Sequence, residues 1–102
     1  MKMDKMLKQA QKMQAQMARM QEELAREIVE GSAGGGMVTA KANGQGEITG
    51  ISISPEVVTP EDVEMLEDLV LAAIGEAMRK SRELSEQKMA QITGGMSIPG
   101  LF

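Results

Sequence analysis

The chain has 102 residues, a formal net charge of −4, 11 Met and a single aromatic residue, so its core must be aliphatic and rich in methionine. It contains neither Cys nor His, which excludes a disulfide framework, thiol chemistry and His-dependent catalysis. Because Ser and Thr then lack the usual base that activates them, we do not expect an enzyme. The sequence has no recognisable cluster of metal ligands, and we expect neither a metal site nor a cofactor site.

The first predicted element is a helical arm over residues 1–26. Its apolar residues follow a heptad in steps that alternate between three and four, the spacing of a coiled-coil seam. They are Met3, Met6, Ala10, Met13, Met17, Met20 and Leu24. A seam of this kind is typical of a helix that packs on another long helix, and a small domain buries little surface by itself. The sequence therefore predicts a homo-oligomer.

Basic residues follow a different face of the same helix. We call this face the basic stripe; its members are Lys5, Lys8, Lys12, Arg19 and Arg26. It is rotated away from the methionine seam, so one helix presents an apolar face to a partner and a basic face to an anion. A basic helix face is often only solvated, and that alternative stays open here.

The β platform of an α+β fold is predicted over residues 27–54, as a meander of three antiparallel strands. Apolar and β-branched runs separated by glycine-rich turns indicate it. The predicted strands are Glu27–Ala33, Met37–Ala42 and Glu47–Ser54, with a turn at Gly34-Gly35-Gly36. For the first strand, the alternative is a first helix that continues to Glu30.

Asn43-Gly44 marks the turn between the second and third strands. Asn-Gly between apolar runs favours a tight hairpin in which both residues take positive φ. In the third strand Ile51 and Ile53 share a face, whereas Ile48 has the opposite parity. Two explanations fit: a bulge at Gly50 that shifts the phase, or a strand covered by helices on one face and by a second subunit on the other.

The second helix is predicted over residues 60–92. Thr59 suits the N-cap, Pro60 suits the first helical position, and Asp62 completes a capping box. The last third of this helix, residues 79–88, is predicted to be a solvated basic arm. Residues 93–102 form a predicted tail, which is either flexible or docked through apolar residues such as Leu101 and Phe102.

Charge is distributed unevenly along the chain. Residues 1–20 carry +4, residues 21–78 carry −10 and residues 79–102 carry +2. The two basic ends are compatible with a nucleic-acid partner in spite of the negative total. Binding to an anionic membrane surface is less favoured, since the seam has no Trp or Phe anchor. With no apolar run long enough to span a bilayer, we expect a soluble cytoplasmic protein.

Seven segments, in order along the chain, resemble the YbaB/EbfC family of bacterial nucleoid-associated proteins. They are Met6–Gln14, Met20–Leu24, Val29–Gly36, Asn43-Gly44, Asp62–Ala73, Thr93–Met96 and Ile98–Phe102. The resemblance implies a single domain over residues 1–102 and a tweezer-like homodimer, in which a shared β platform carries projecting helices.

The resemblance also implies a function: binding of double-stranded DNA in the nucleoid, with low sequence specificity and with effects on gene expression and nucleoid organisation. The candidate phosphate-contacting residues are Lys5, Lys8, Lys12 and Arg19 in the first helix and Arg79, Lys80 and Arg82 in the second. A competing hypothesis is a coiled-coil scaffold or chaperone-like clamp whose arms grip a protein partner. No small-molecule substrate is expected.

Overall fold

The structure, a computed structural model, describes residues 2–94. Two helices flank a three-stranded sheet, in the order α1 (Lys2–Arg26), β1 (Ile28–Ala33), β2 (Val38–Asn43), β3 (Ile48–Ile53) and α2 (Val63–Gly94). Two 3-10 turns, Pro55–Val57 and Pro60–Asp62, connect β3 to α2. The predicted α+β class and the helix–meander–helix order are confirmed. Except for residues 93 and 94, the predicted tail lies outside the described residues.

Only Glu27 separates α1 from the sheet. The helix ends at Arg26, and Ile28 already pairs with Asn43 at the end of β2. A helix that continued to Glu30 is therefore excluded. The reason is tertiary, because β2 offers the β-branched pair Ile28-Val29 a full antiparallel ladder, and such residues fit a pleated surface better than a helix.

The sheet has the order β1-β2-β3, with both pairs antiparallel. The β2–β3 register shifts between Lys41, which pairs with Gly50, and Ala42, which pairs with Ile48. One extra residue, Thr49, is thus accommodated in β3, as in a β-bulge. The bulge returns Ile48 to the face that carries the other two isoleucines of β3. The predicted phase shift is confirmed, with the extra residue directly before Gly50.

Helix α2 packs on the sheet through small residues. Ala73 and Ala77 are fully buried against Val38 and Ala40 of β2, and Gly31 of β1 lies beneath the helix backbone. The small residues at the centre of this contact let helix and sheet approach closely, and larger, partly buried side chains such as Leu66, Leu69 and Ile74 pack around it. The helix covers β1 and β2 and leaves β3 largely uncovered.

The predicted tight turn at Asn43-Gly44 is wrong. Neither residue has positive φ; in the β2–β3 loop the residue with positive φ is Gly46, at +81°. The Oδ1 of Asn43 accepts hydrogen bonds from the backbone N–H groups of Gln45 and Glu47, each at 3.0 Å, so the side chain shapes a longer loop. Gly44 serves a different need, a close approach to Leu24 of α1.

The predicted cap of the second helix is also displaced. Thr59 makes no side-chain capping bond, because Pro60 begins a 3-10 turn and α2 starts only at Val63. Asp62 caps α2 instead: its Oδ1 accepts a hydrogen bond of 3.2 Å from the backbone N–H of Met65.

Candidate nucleic-acid interface

The outer part of α1 is a projecting arm. All side chains from Lys2 to Lys12 are exposed. Near the C-terminal end of α1, Met20 and Leu24 are buried, with only 3% and 1% of their surface exposed. The methionine seam is thus packed only where α1 meets the rest of the chain. The arm gives the molecule its elongated form, 72 × 24 × 16 Å.

The basic stripe lies on this arm in the open. Lys5, Lys8, Lys12 and Arg19 are all exposed, and at 100° per residue they fall within roughly 60° of the helix circumference. None of them forms an ion pair within residues 2–94. The fifth member, Arg26, lies 3.9 Å from Glu22. The structure therefore brings four predicted residues together as one face of unneutralised charge.

The predicted basic patch on α2, formed by Arg79, Lys80 and Arg82, differs from the basic stripe because two of its cations are ion-paired. Arg79 pairs with Glu83 at 2.6 Å, and Lys80 pairs with Glu76 at 3.3 Å while donating a hydrogen bond of 2.8 Å to the backbone oxygen of Glu30. These two cations are largely neutralised inside the chain. The third, Arg82, has no ion pair among the described residues, so the three do not act as one free patch.

The predicted solvated character of residues 79–88 is wrong at its end. Lys88, only 19% exposed in its side chain, reaches Glu23 and Glu27 of α1 at 3.1 and 3.3 Å. The carboxylate of Glu23, and then that of Glu27, raises the pKa of the Lys88 ammonium above its ordinary value. This part of α2 thus holds the base of the arm, together with the buried Ser81, whose hydroxyl donates to the backbone oxygen of Asn43 at 2.7 Å.

The loop between β2 and β3 fixes the arm base from the other side. The backbone N–H of Gly44 donates to the backbone oxygen of Leu24 at 2.8 Å, and the side chain of Gln45 donates to the backbone oxygen of Gln21 at 3.0 Å. The direction of the arm is therefore set by contacts from the sheet loop and from α2 at once.

Between these contacts lies a recess of about 280 Å³, which we call the arm-base recess. It is lined by Gln21, Leu24, Gly44, Gln45, Gly46, Ser81, Arg82 and Ser85. Of these residues, the sequence analysis named only Arg82 as a candidate phosphate contact. The others are neutral, carry no charge periodicity and come from three separate elements, so only the contact between helices and loop reveals them.

The opposite end of the molecule is acidic. Residues 55–78 contain seven Asp or Glu and no Lys or Arg. A second recess near the start of α2 is lined by Asp62, Glu64, Met65, Asp68 and Leu69. Charge is therefore segregated in the molecule, with negative charge concentrated at the start of α2 and positive charge on the arm.

The residues from 2 to 94 contain no cluster of three or more carboxylate, His or Cys groups able to hold a metal ion. Within the same span, neither α1 nor α2 is long and apolar enough to cross a membrane.

Comparisons with known proteins agree with the resemblance seen in the sequence. The model of the YbaB/EbfC DNA-binding family matches residues 1–96. A nucleoid-associated protein of Pelotomaculum thermopropionicum is 54% identical over 100 residues, covering 98% of this chain and 95% of that protein. One from Caldanaerobacter subterraneus is 58% identical over 97 residues, covering 95% and 87%. One from Chloroflexus aurantiacus is 56% identical over 97 residues, covering 95% of each.

The fold is also found in a solved structure. The crystal structure of an uncharacterized protein from Helicobacter pylori superposes with a TM-score of 0.69 at 21% identity, covering 94% of this chain and 97% of that one. At that identity the likeness concerns the fold alone. The family assignment depends instead on the family model, which spans nearly the whole chain, and on relatives above 50% identity. The chain belongs to the YbaB/EbfC DNA-binding family.

Proposed function

We propose that the chain is a nucleoid-associated protein that binds double-stranded DNA as a homodimer, through the basic stripe of α1 and with low sequence specificity. The family and the names of the relatives support DNA as the partner and the nucleoid as the location. The observation that carries the proposal is the face of four exposed cations without intramolecular partners.

The mechanism is electrostatic. Ion-paired cations have their charge compensated within the chain, whereas the free cations of the arm can neutralise DNA phosphates and release condensed counterions. Phosphate contacts position a protein on the duplex without reading its sequence, which accounts for low specificity. The α1 arm bears five Lys or Arg and one Asp in residues 2–20, so its field is positive along its whole length. The protein acts by binding and carries out no catalytic step.

An uncovered apolar surface supports the homodimer. On the face of the sheet next to α2, Ile51 and Ile53 of β3 are 44% and 39% exposed, and Leu71 on α2 is 70% exposed. A groove of about 390 Å³ lies between Ile53 and α2, lined almost wholly by apolar atoms. A contiguous apolar surface of this kind marks an association site, and a second copy would cover both grooves at once through two-fold symmetry.

The dimer gives the arms their function. One arm offers four free cations, and two arms held by a common platform double that number and fix the distance between them. Linking two sites in this way raises affinity by effective concentration without new contacts. We propose that this geometry is the tweezer-like form, with the platforms in the centre and the arms projecting.

One observation favours the protein-clamp alternative. Met3, Met6 and Leu7 on the outer arm are 75%, 67% and 58% exposed, and such flexible apolar side chains suit a protein partner. The two hypotheses differ in their response to salt. DNA binding through phosphates weakens steeply as salt rises, whereas methionine contacts with a protein persist.

The test is the combined change of Lys5, Lys8 and Lys12 to Gln, which preserves helix propensity. DNA affinity is measured by fluorescence anisotropy on two duplexes of unrelated sequence, from about 50 to 300 mM salt. Removal of each interaction with a phosphate flattens the slope of log affinity against log salt by about 0.9. The matched control changes the same three residues to Arg, which conserves the charge.

We expect the Gln variant to lose slope equally on both duplexes and the Arg variant to keep it. Sedimentation of both variants checks that the oligomeric state is unaltered. A Gln variant with the slope of the wild type, while still dimeric, would reduce the stripe to a solvated face and shift the choice toward the protein clamp.

A further inference from the structure

The arm-base recess collects hydrogen-bond donors and has no acid among its lining residues. We infer that this recess binds one phosphate of the DNA backbone, and so anchors the base of each arm. The inference rests on the proposed function, of which it names an additional DNA contact. It concerns Arg82, Ser85 and Gln21, which come from two different helices.

The lining separates into a fixed floor and free donors. In the floor, Leu24 and Ser81 are 1% and 2% exposed, and the Ser81 hydroxyl is already bonded to the backbone of Asn43. The amide of Gln45 is held by Gln21. These groups shape the recess and have no donor to spare for a ligand.

The free donors are those without a partner. Among the described residues, the guanidinium of Arg82 has no ion pair or side-chain hydrogen bond, and neither the Ser85 hydroxyl nor the Gln21 side-chain N–H₂ donates one. An arginine fork with neutral N–H and O–H donors beside it matches the tetrahedral oxygens of a phosphate. The buried floor fixes the shape of the recess, while the three donors above it keep their hydrogen-bonding capacity for a ligand.

The surroundings favour an anion over a cation or an apolar group. The neighbouring cations Arg79 and Lys80 face carboxylates of their own, whereas no carboxylate lines the arm-base recess. The recess at the start of α2 has the reverse character, with three carboxylates in its lining. One helix thus carries an anion-accepting recess near the arm and an anion-rejecting one at its other end.

The position of the recess decides its role. Gln21 follows Arg19, the last free member of the basic stripe, by two residues, which is about 3 Å along the helix axis and about 200° around it. The recess, which also includes the seam residue Leu24, therefore lies level with the end of the stripe but on the seam face of α1, so its phosphate belongs to a different stretch of DNA backbone from the one along the stripe. A phosphate bound there touches both helices, so it stabilises the angle at which the arm leaves the platform.

The first test is Arg82→Gln, measured by the same salt series on duplex DNA. We expect the slope of log affinity against log salt to flatten by about 0.9 for each recess that no longer neutralises its phosphate, and so by about 1.8 for the two recesses of the proposed dimer, equivalent to about 12-fold between 50 and 200 mM salt. Arg82→Lys keeps the charge but not the fork, so it should retain the slope while binding more weakly at every salt concentration. The control is the neutral double change Lys41→Gln with Glu30→Gln, an ion pair on the sheet, which should leave the slope unaltered.

A second test adds charge at the recess. Ser85→Asp should weaken DNA binding more than Gln87→Asp, because Gln87 is an exposed residue of the same helix outside the recess lining. Both changes lower the net charge equally, so a difference between them reports on position. Equal weakening by both would overturn the inference.

Failure of this inference is distinguishable from failure of the proposed function. If Arg82→Gln keeps the wild-type slope while the α1 change of three Lys to Gln flattens it, the recess binds no phosphate and the arm proposal stands. If neither change alters the slope, the electrostatic proposal fails, and this inference fails with it. None of the variants alters a fully buried side chain, and circular dichroism confirms that each is folded.

Discussion

Gly31→Ala tests the close packing of α2 on the sheet, on which the whole platform depends. A Cβ at position 31 would overlap the backbone N of Ala77 and the backbone O of Ala73, and would lie 2.9 Å from the backbone carbon of Glu76. Backbone atoms inside a helix cannot rotate aside as a side chain can. The helix must therefore move away from the sheet by about 1 Å, which weakens the packing of both alanines on β2.

The magnitude follows from this displacement. Overpacking a core costs roughly 1–3 kcal/mol, and we expect the upper value of about 3 kcal/mol because every clash is with backbone. With a urea m-value of about 1.5 kcal/mol/M for a chain of this size, the unfolding midpoint should fall by about 2 M. The assay is urea unfolding followed by circular dichroism, at one fixed protein concentration because the proposed dimerisation would make stability depend on concentration.

The matched control is Gly75→Ala. Gly75 lies inside α2, and a Cβ there would meet no atom within 4 Å. This change should raise stability by about 1 kcal/mol, since Ala is the better helix former. A Gly31→Ala midpoint equal to that of the wild type, beside a raised midpoint for Gly75→Ala, would show that α2 does not need its close approach to the sheet.

Three further predictions concern the arm base and the apolar groove. Gly44→Ala should destabilise by about 1–3 kcal/mol in urea unfolding, because its Cβ would lie 2.6 Å from Leu24 Cδ2; an unchanged midpoint would show that the loop can retreat from α1. Lys88→Met should lower stability at neutral pH, and because the wild-type pKa is raised above its ordinary 10.5, the difference should hold below about pH 10.5 and shrink as the pH rises through the folded-state pKa; a difference that stays constant would exclude the ion pair as its source. Leu71→Glu should leave the monomer folded, since Leu71 is 70% exposed, and should convert a sedimenting dimer to monomer; a dimer that persists would place the interface elsewhere.

The sequence by itself determined the helices, the strands and the charged stripe. Heptad spacing indicated the arm, and runs of β-branched residues between glycines indicated the meander. The bulge too was one of two explanations that the sequence offered, since the parity of Ile48 differs from that of the other β3 isoleucines. These features depend on local periodicity, which is present in the order of residues along the chain.

Turn and cap details were predicted less well. Asn43-Gly44 is a dipeptide typical of tight turns, yet the loop here is longer. A glycine is needed at position 44 because the loop approaches Leu24, a residue 20 positions earlier, too closely for a Cβ. Thr59 is a residue type that often caps helices, yet Pro60 begins a 3-10 turn, and Asp62 is the residue that caps α2. In each case more than one local structure suits the same residues, and contacts from elsewhere in the chain select between them.

Tertiary structure decided the surroundings of the cations at the end of α2. Lys88 has the sequence surroundings of a solvated residue, and it is sequestered because α1 places Glu23 and Glu27 opposite it. Arg82 gains its neighbours Gln21 and Gln45, both distant in sequence, only when the arm base meets the sheet loop. The pairs Arg79–Glu83 and Lys80–Glu76 follow from spacing within α2, whereas the surroundings of Lys88 and Arg82 depend on which element folds against the helix.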